Sequence, residues 1–259
     1  VYIAGYSVRR LKDLQSNWLG FFRPAVLVVL VVSLILIQPD LGTSAVIFAT
    51  VLGMLFVAGA QMKQFLLVIG LGLLGISALI IFVPWRWERI ISFMDPWTDP
   101  FGGGYQLTLS LMAIGRGEWF GVGLGEGLMK LGYLPDAHTD FIFSVIVEEM
   151  GLFTAILIIS SLFFISFRSF YIGRKALERN LYFGFFIAYG VAILVGLHTF
   201  INVGVATGLL PTKGLTLPFL SYGGTNLLIM CCLCALVLRV DQETKSAMPS
   251  INISRRVSF

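Results

Sequence analysis

Charge is what this sequence lacks most. Asp, Glu, Lys and Arg make up 12% of its 259 residues, about half the usual share of a soluble domain. That excludes an ordinary water-soluble globule, and it equally excludes a disordered, highly charged chain. Cysteine is also sparse. Cys231, Cys232 and Cys234 all fall in one apolar run, which excludes a disulfide framework and shows no metal-ligand spacing; they read as small apolar helix residues. The only histidines, His138 and His198, are too far apart for a zinc motif. There is no internal repeat and no low-complexity tract. Glycines 115, 117, 121, 123, 125 and 127 do not form a dinucleotide fingerprint, because no strand precedes them. They read as a folded loop lying against a bilayer.

What is present is apolar: 57% hydrophobic residues and a mean hydropathy of +0.89. The class is an all-α polytopic membrane protein. A span needs ~20 mostly apolar residues, and six runs qualify, at about residues 19–37, 43–60, 64–84, 141–167, 182–207 and 218–238. The chain is expected to be one membrane domain, 1–259, with a long outer loop at 85–139 and a cytoplasmic tail at 240–259. The apolar stretch YQLTLSLMAI in that loop is too short to span, so a re-entrant or interfacial helix is expected. The opening VYIAGYSVRRLKDLQ, without Met or a signal peptide, reads as a cytoplasmic stretch between spans. The chain is therefore expected to be a fragment.

Six spans place both ends on one side. With the ends inside, thirteen of the eighteen basic residues and four acids lie inside, against five basic and eight acidic residues outside. The positive-inside rule fixes that orientation. It also accounts for a net charge of +4 without a nucleic-acid partner.

The outer face then holds every polar motif. QPDLG (38–42) follows the first span, where Asp40 is either a ligand or a cap for the next helix with Thr43. LPDAHTDFIFSVIVEEMG (134–151) opens the fourth span. Asp140 at its mouth is either an N-cap or a working carboxylate. Glu148 lies ~12 Å deeper at 1.5 Å per residue, a costly place for an ionisable group unless it meets a cavity or a partner. Helical rotation puts Asp140, Ser144 and Glu148 toward one cavity and turns Glu149 to the opposite face, at a helix–helix contact. His138 is near the mouth. His198, inside the fifth span, is expected to make an intramembrane hydrogen bond helped by Asn202. GLLPTKGLTLPFLSYGG (208–224) has one charge, Lys213, either an anchor for a phosphate or a snorkelling interfacial lysine. Ser221, Gly223 and Gly224 lie where helix N-terminal N–H groups can bind an anion.

Together, QPDLGT, DPFGGGYQ, HTDFIFSVIVEEMG and GLLPTKGLTLPFLSYGG resemble the SEDS family of bacterial peptidoglycan polymerases, over residues 2–244. PTKGLTLP looks like the cell-division branch more than the elongation branch. Thr225 and Asn226 stand where serines are common in the family. The resemblance implies a multi-pass inner-membrane glycosyltransferase at the division septum that polymerises lipid II. Asp140 occupies the position of the catalytic aspartate, and Lys213, Ser221, Glu148, Ser144 and His138 are candidate substrate-binding residues. It further implies a divalent cation (Mg or Mn), a cognate class B penicillin-binding transpeptidase and other divisome membrane proteins as partners. About ten spans are usual, so N-terminal spans bearing a functional arginine are expected to be missing. A lipid II flippase and a structural organiser of the division machinery stay as alternatives.

The charge count predicts that a cysteine at Arg174 is shielded from an impermeant external thiol reagent in intact cells, while one at Gly102, Gly103 or Gly104 is labelled. Labelling at 174 from outside would reverse the orientation.

Overall fold

The computed structural model describes residues 1–38, 40–81, 91–211 and 214–247. Among them the only regular elements are helices, and the architecture is the all-α polytopic membrane fold expected. Two short helices, α1 (Tyr2–Arg9) and α2 (Leu11–Ser16), precede α3 (Trp18–Ile37), α4 (Leu41–Val57) and α5 (Met62–Ile81). In the long loop expected at 85–139 come α6 (Tyr105–Gly117) and a 3-10 turn at Met129–Leu131. The chain then forms α7 (Ile142–Glu178), α8 (Tyr182–Ala206) and α9 (Gly224–Ser246). Four helices, α3, α7, α8 and α9, are long and apolar enough to cross a membrane, and α4 is a shorter apolar helix. All six expected spans thus fall on helices. The last helix starts six residues later than expected and continues to Ser246, so it takes in the first part of the expected tail; residues 248–259 lie outside the described residues, as do 82–90 of the expected loop and third span.

Helix α8 is the hub. It packs against α7 along its length and also touches α1, α4, α6 and α9. Small residues let the backbones approach: a Cβ on Gly190 would meet Met54 Sδ at 2.8 Å, and one on Gly53 would meet Ile193 Cδ1 at 2.8 Å. A core around Leu14, Phe21, Leu55, Phe186 and Val195 joins α1–α4 to α8. A smaller one at the outer end, around Phe143, Val147, Ala206 and Leu217, joins α7, α8 and the loop after α8.

Helix α7 is not the uninterrupted span expected at 141–167. Its 37 residues would measure ~55 Å if straight, well beyond a ~30 Å hydrocarbon core. Gly151 breaks it, at φ 81° and ψ 171°, a left-handed backbone that glycine adopts without steric penalty. The break forfeits two helical rungs, from the N–H groups of Leu152 and Phe153 to the carbonyls of Glu148 and Glu149. The loop segment 117–123 replaces both. Leu152 and Phe153 donate instead to the carbonyls of Glu118 and Trp119 (2.9 and 3.2 Å), while Val122 and Gly123 donate to the freed carbonyls of Glu148 and Glu149 (2.9 and 3.1 Å). All four groups are satisfied, as backbone at membrane depth requires.

This splice needs close backbone approach, which explains part of the glycine run. A Cβ on Gly117 would collide with the Val147 carbonyl, and one on Gly121 with that of Glu149. The neighbouring Gly115, in the same helix, has nothing within 4 Å of its would-be Cβ. Gly117→Ala is therefore expected to destabilise by ~1–3 kcal/mol or more through overpacking, and Gly115→Ala to be neutral or stabilising by ~0.5–1 kcal/mol through helix propensity. Thermal unfolding in detergent micelles checks the pair. Equal effects at both positions would contradict the splice.

Candidate functional site

The site lies where the loop before α7 meets the loop before α9. Asp136 begins the first of these, in the left-handed region at φ 54°, which Asp tolerates better than most residues. Its carbonyl accepts from the N–H groups of Thr139, Asp140 and Phe141, at 3.1 to 3.2 Å. That turn delivers the chain into α7. The N-cap of α7 is Phe141, with no side-chain capping bond. The capping role open to Asp140 is thus not what its carboxylate does. Capping is realised instead at Asp40, whose Oδ1 accepts from Thr43 N–H at 2.9 Å to start α4.

The next three carbonyls are each tied to a different donor. That of His138 accepts from Tyr222 N–H (2.9 Å). The Thr139 carbonyl accepts from Ser221 Oγ–H (2.6 Å), and the Asp140 carbonyl from Asn202 Nδ2 (2.8 Å). Ser221 Oγ also accepts from Leu217 N–H at 2.6 Å. It pins a turn that carries Phe219 at φ 65°, a strained conformation for a bulky residue. Asn202 Nδ2 donates a second bond to the Leu215 carbonyl at 2.6 Å.

Among the described residues no donor reaches the carboxylate oxygens of Asp140. A Cβ at Gly214 would sit 2.9 Å from its Oδ2, so the loop after α8 closes over one side. Burial, then the charges of Asp136 and Asp40, push the Asp140 carboxyl up to about 6. Such a group titrates close to neutral pH, the range suited to a general base.

The expected site residues separate into two groups. Asp140, Ser221 and His138 meet at this corner; the His138 side chain is exposed, while its carbonyl is held. Lys213 lies outside the described residues. Ser144 and Glu148, expected to line the same cavity, are packed elsewhere. Ser144 is fully buried, with its Oγ 2.6 Å from that of Ser110. Ser110 donates to the Ala206 carbonyl at 2.7 Å, which locks α6, α7 and α8 together. Glu148 is also fully buried, and its carboxylate accepts from Leu128 N–H (3.0 Å) and Met129 N–H (3.2 Å) and pairs with Arg116 at 3.3 Å. Glu149 makes no simple helix–helix contact. It pairs with Lys130 at 2.6 Å and accepts from Gly125 N–H at 3.1 Å. Both glutamates therefore hold the loop between α6 and α7 against the stretch of helix before the break.

Asn202 is the residue that sequence reasoning placed wrongly. It serves the two loops rather than His198, whose Nδ1 lies 3.4 Å from the Thr216 carbonyl. The available signal was an amide in an otherwise apolar span, which is costly unless bonded. No three Asp, Glu, His or Cys side chains among the described residues come together as a metal site.

A model of the family described as cell cycle protein, FtsW/RodA/SpoVE, matches residues 1–246. The chain belongs to that family. It is 48% identical over 245 residues to the probable peptidoglycan glycosyltransferase FtsW of Aliivibrio salmonicida, covering 95% of this chain and 61% of that protein. The protein of the same name from Escherichia coli O6:H1 is 50% identical over 244 residues, 94% of this chain and 59% of that one. The chain thus spans about three fifths of the relatives it matches. Among solved structures it is similar to a chain of a peptidoglycan synthase complex that coordinates polymerization and crosslinking, with a TM-score of 0.68 and 28% identity over 94% of this chain and 68% of that one. It is also similar to a mutant of the Rod shape determining protein RodA from Thermus thermophilus, with a TM-score of 0.59 and 26% identity over 93% of this chain and 64% of that one.

If Glu148 holds the loop, Glu148→Gln loses the ion pair and weakens an acceptor. It is expected to lower stability by ~1–3 kcal/mol in thermal unfolding and to speed hydrogen exchange at the Leu128 and Met129 amides that it accepts from. Unchanged melting and exchange would contradict that role.

Proposed function

We propose that this chain carries the glycosyl-transfer site of a lipid II polymerase acting in septal cell-wall synthesis, with Asp140 as the general base. The observation that carries the reading is the state of Asp140: half-buried just before the start of a membrane-length helix, raised to about 6, and free of any capping duty. The names of the FtsW relatives support the reaction class. The chemistry fits the place. A sugar hydroxyl of one substrate attacks the anomeric carbon of another; the new C–O bond forms as the bond from that carbon to the diphosphate oxygen breaks. The hydroxyl proton passes to the Asp140 carboxylate and then to water. The bond's electron pair leaves on the lipid diphosphate, which an ammonium can stabilise. Lys213 is the candidate for that role, and Gly214, next to it in sequence, lies against Asp140.

A divalent cation remains part of the proposal in a narrow form. Without a three-ligand protein cluster among the described residues, it would draw its ligands largely from substrate phosphates and water, as Mg²⁺ commonly does. It would supply charge neutralisation at the leaving group. Partnership with a class B penicillin-binding transpeptidase and other divisome membrane proteins is proposed on the likeness to a chain of a synthase complex. The flippase alternative needs polar groups along a path through the bilayer, yet Glu148 and Glu149 are occupied by Arg116 and Lys130.

The test uses the full-length protein with its transpeptidase partner, lipid II and divalent cation. Asp140→Asn should fold and melt normally but lose ~10²–10⁴ in polymerisation rate. Polymer made at close to the wild-type rate would overturn the assignment. A base works only when deprotonated, so wild-type activity should be full above about pH 6 and fall as pH drops through it. Asp136→Asn removes a neighbouring negative charge and should move that acidic limb to lower pH. Lys213→Ala should lower polymerisation without loss of folded protein, with only partial rescue by Arg because its planar fork differs from a compact ammonium.

A further inference from the structure

We propose that Asn202 is a positioning residue for the reaction, setting where the Asp140 carboxylate sits by holding the backbone of both loops that form the site. This rests on the reading of Asp140 as the base. Asn202 is 1% exposed and lies in α8, one turn before Ala206, whose carbonyl anchors Ser110. Its Nδ2 spends both N–H donors on carbonyls from two separate loops, Asp140 at 2.8 Å and Leu215 at 2.6 Å. Both partners are acceptors, so the amide has one orientation that works. That orientation leaves its Oδ1 buried without a partner among the described residues. Burying that acceptor is unfavourable, and the two bonds to the Asp140 and Leu215 carbonyls offset it. The arrangement is accounted for by what the two donors do: they tie the carboxylate-bearing loop and the loop that adjoins Lys213 to one rigid helix, the kind of support that fixes a reacting group.

The test is steady-state and pH-dependent polymerisation by the full-length protein with its transpeptidase partner, lipid II and divalent cation. Asn202→Leu removes the amide at similar volume, and Asn202→Ala removes both donors without adding a charge. Should Asn202→Leu fail to fold, Asn202→Ala carries the test. Thermal unfolding sets the folded fraction by which rates are normalised. Both variants are expected to lower kcat by ~10–100-fold, the scale of a misplaced reacting group, with KM changed by less than about 3-fold. A loosened carboxylate is better hydrated, so the acidic limb should also move to lower pH, because burial is the main cause of its raised position. Among the described residues the other titratable groups at this corner are Asp136 and His138 on the same loop, Tyr222 on the loop before α9, Asp40 at the start of α4 and His198 on α8. They are intact in both variants. A kcat within about 3-fold of wild type, or a lowered kcat with the acidic limb unmoved, would overturn the inference. Asp140→Asn is measured alongside: activity in that variant would sink the general-base reading itself, whereas a dead Asp140→Asn with an active Asn202→Leu sinks only the positioning role.

Discussion

Three consecutive carbonyls, those of His138, Thr139 and Asp140, are held by three separate donors: Tyr222 N–H, Ser221 Oγ–H and Asn202 Nδ2. Much of the outer face follows from that. A short irregular segment at the edge of the hydrocarbon has few waters to satisfy its backbone, and an unpaired buried carbonyl is costly. The segment before α7 and the turn before α9 meet this demand for each other. The result is a carboxylate whose backbone is fixed from two loops and one helix, while no donor among the described residues reaches its own oxygens. Burial at that junction raises it to about 6, so the constraint that satisfies the backbone also raises the proton affinity of this carboxylate.

A second backbone constraint supports the first. Helix α7 gives up two rungs at Gly151, and segment 117–123 takes both sides of each. The outer loop is thereby spliced into the helix that begins just after Asp140. Glu148 and Glu149 reinforce the splice through Arg116, Lys130 and the N–H groups of Gly125, Leu128 and Met129. Breaking a buried pair leaves an uncompensated charge, so these glutamates make the loop's placement energetically specific. Glu148, expected to face a cavity, and Glu149, expected at a helix–helix contact, both support a long loop instead.

The sequence made some of this legible and hid the rest for physical reasons. Length, hydropathy and charge bias locate the six apolar helices, because a span must be long and apolar whatever its neighbours are. The motifs carrying Asp40, Asp140 and Ser221 are far apart in the sequence, and the fold brings them together. The capping choice was open at two aspartates and resolved differently at each, since a cap depends on the φ/ψ of one residue. Glu148 was misplaced because rotation at ~100° per residue holds only within a helix, and Asp140 lies before the first residue of α7; the Glu148 carboxylate instead takes its partners from Arg116, Leu128 and Met129, 19 to 32 positions earlier. Asn202 was assigned to the wrong neighbour because its partners are backbone carbonyls of loops, which no side-chain pattern reveals.

The most direct measurement of the central claim is hydrogen exchange of the full-length protein in detergent, followed on peptides covering 214–223. Tyr222 N–H and Leu217 N–H lie in a segment with no helix or strand, yet both are bonded in the clamp. The account predicts that these two amides exchange far more slowly than their exposed surroundings, and that Ser221→Ala, which deletes the shared hydroxyl, speeds them. Exchange at the rate of a free loop in the wild-type protein, unchanged by Ser221→Ala, would contradict it.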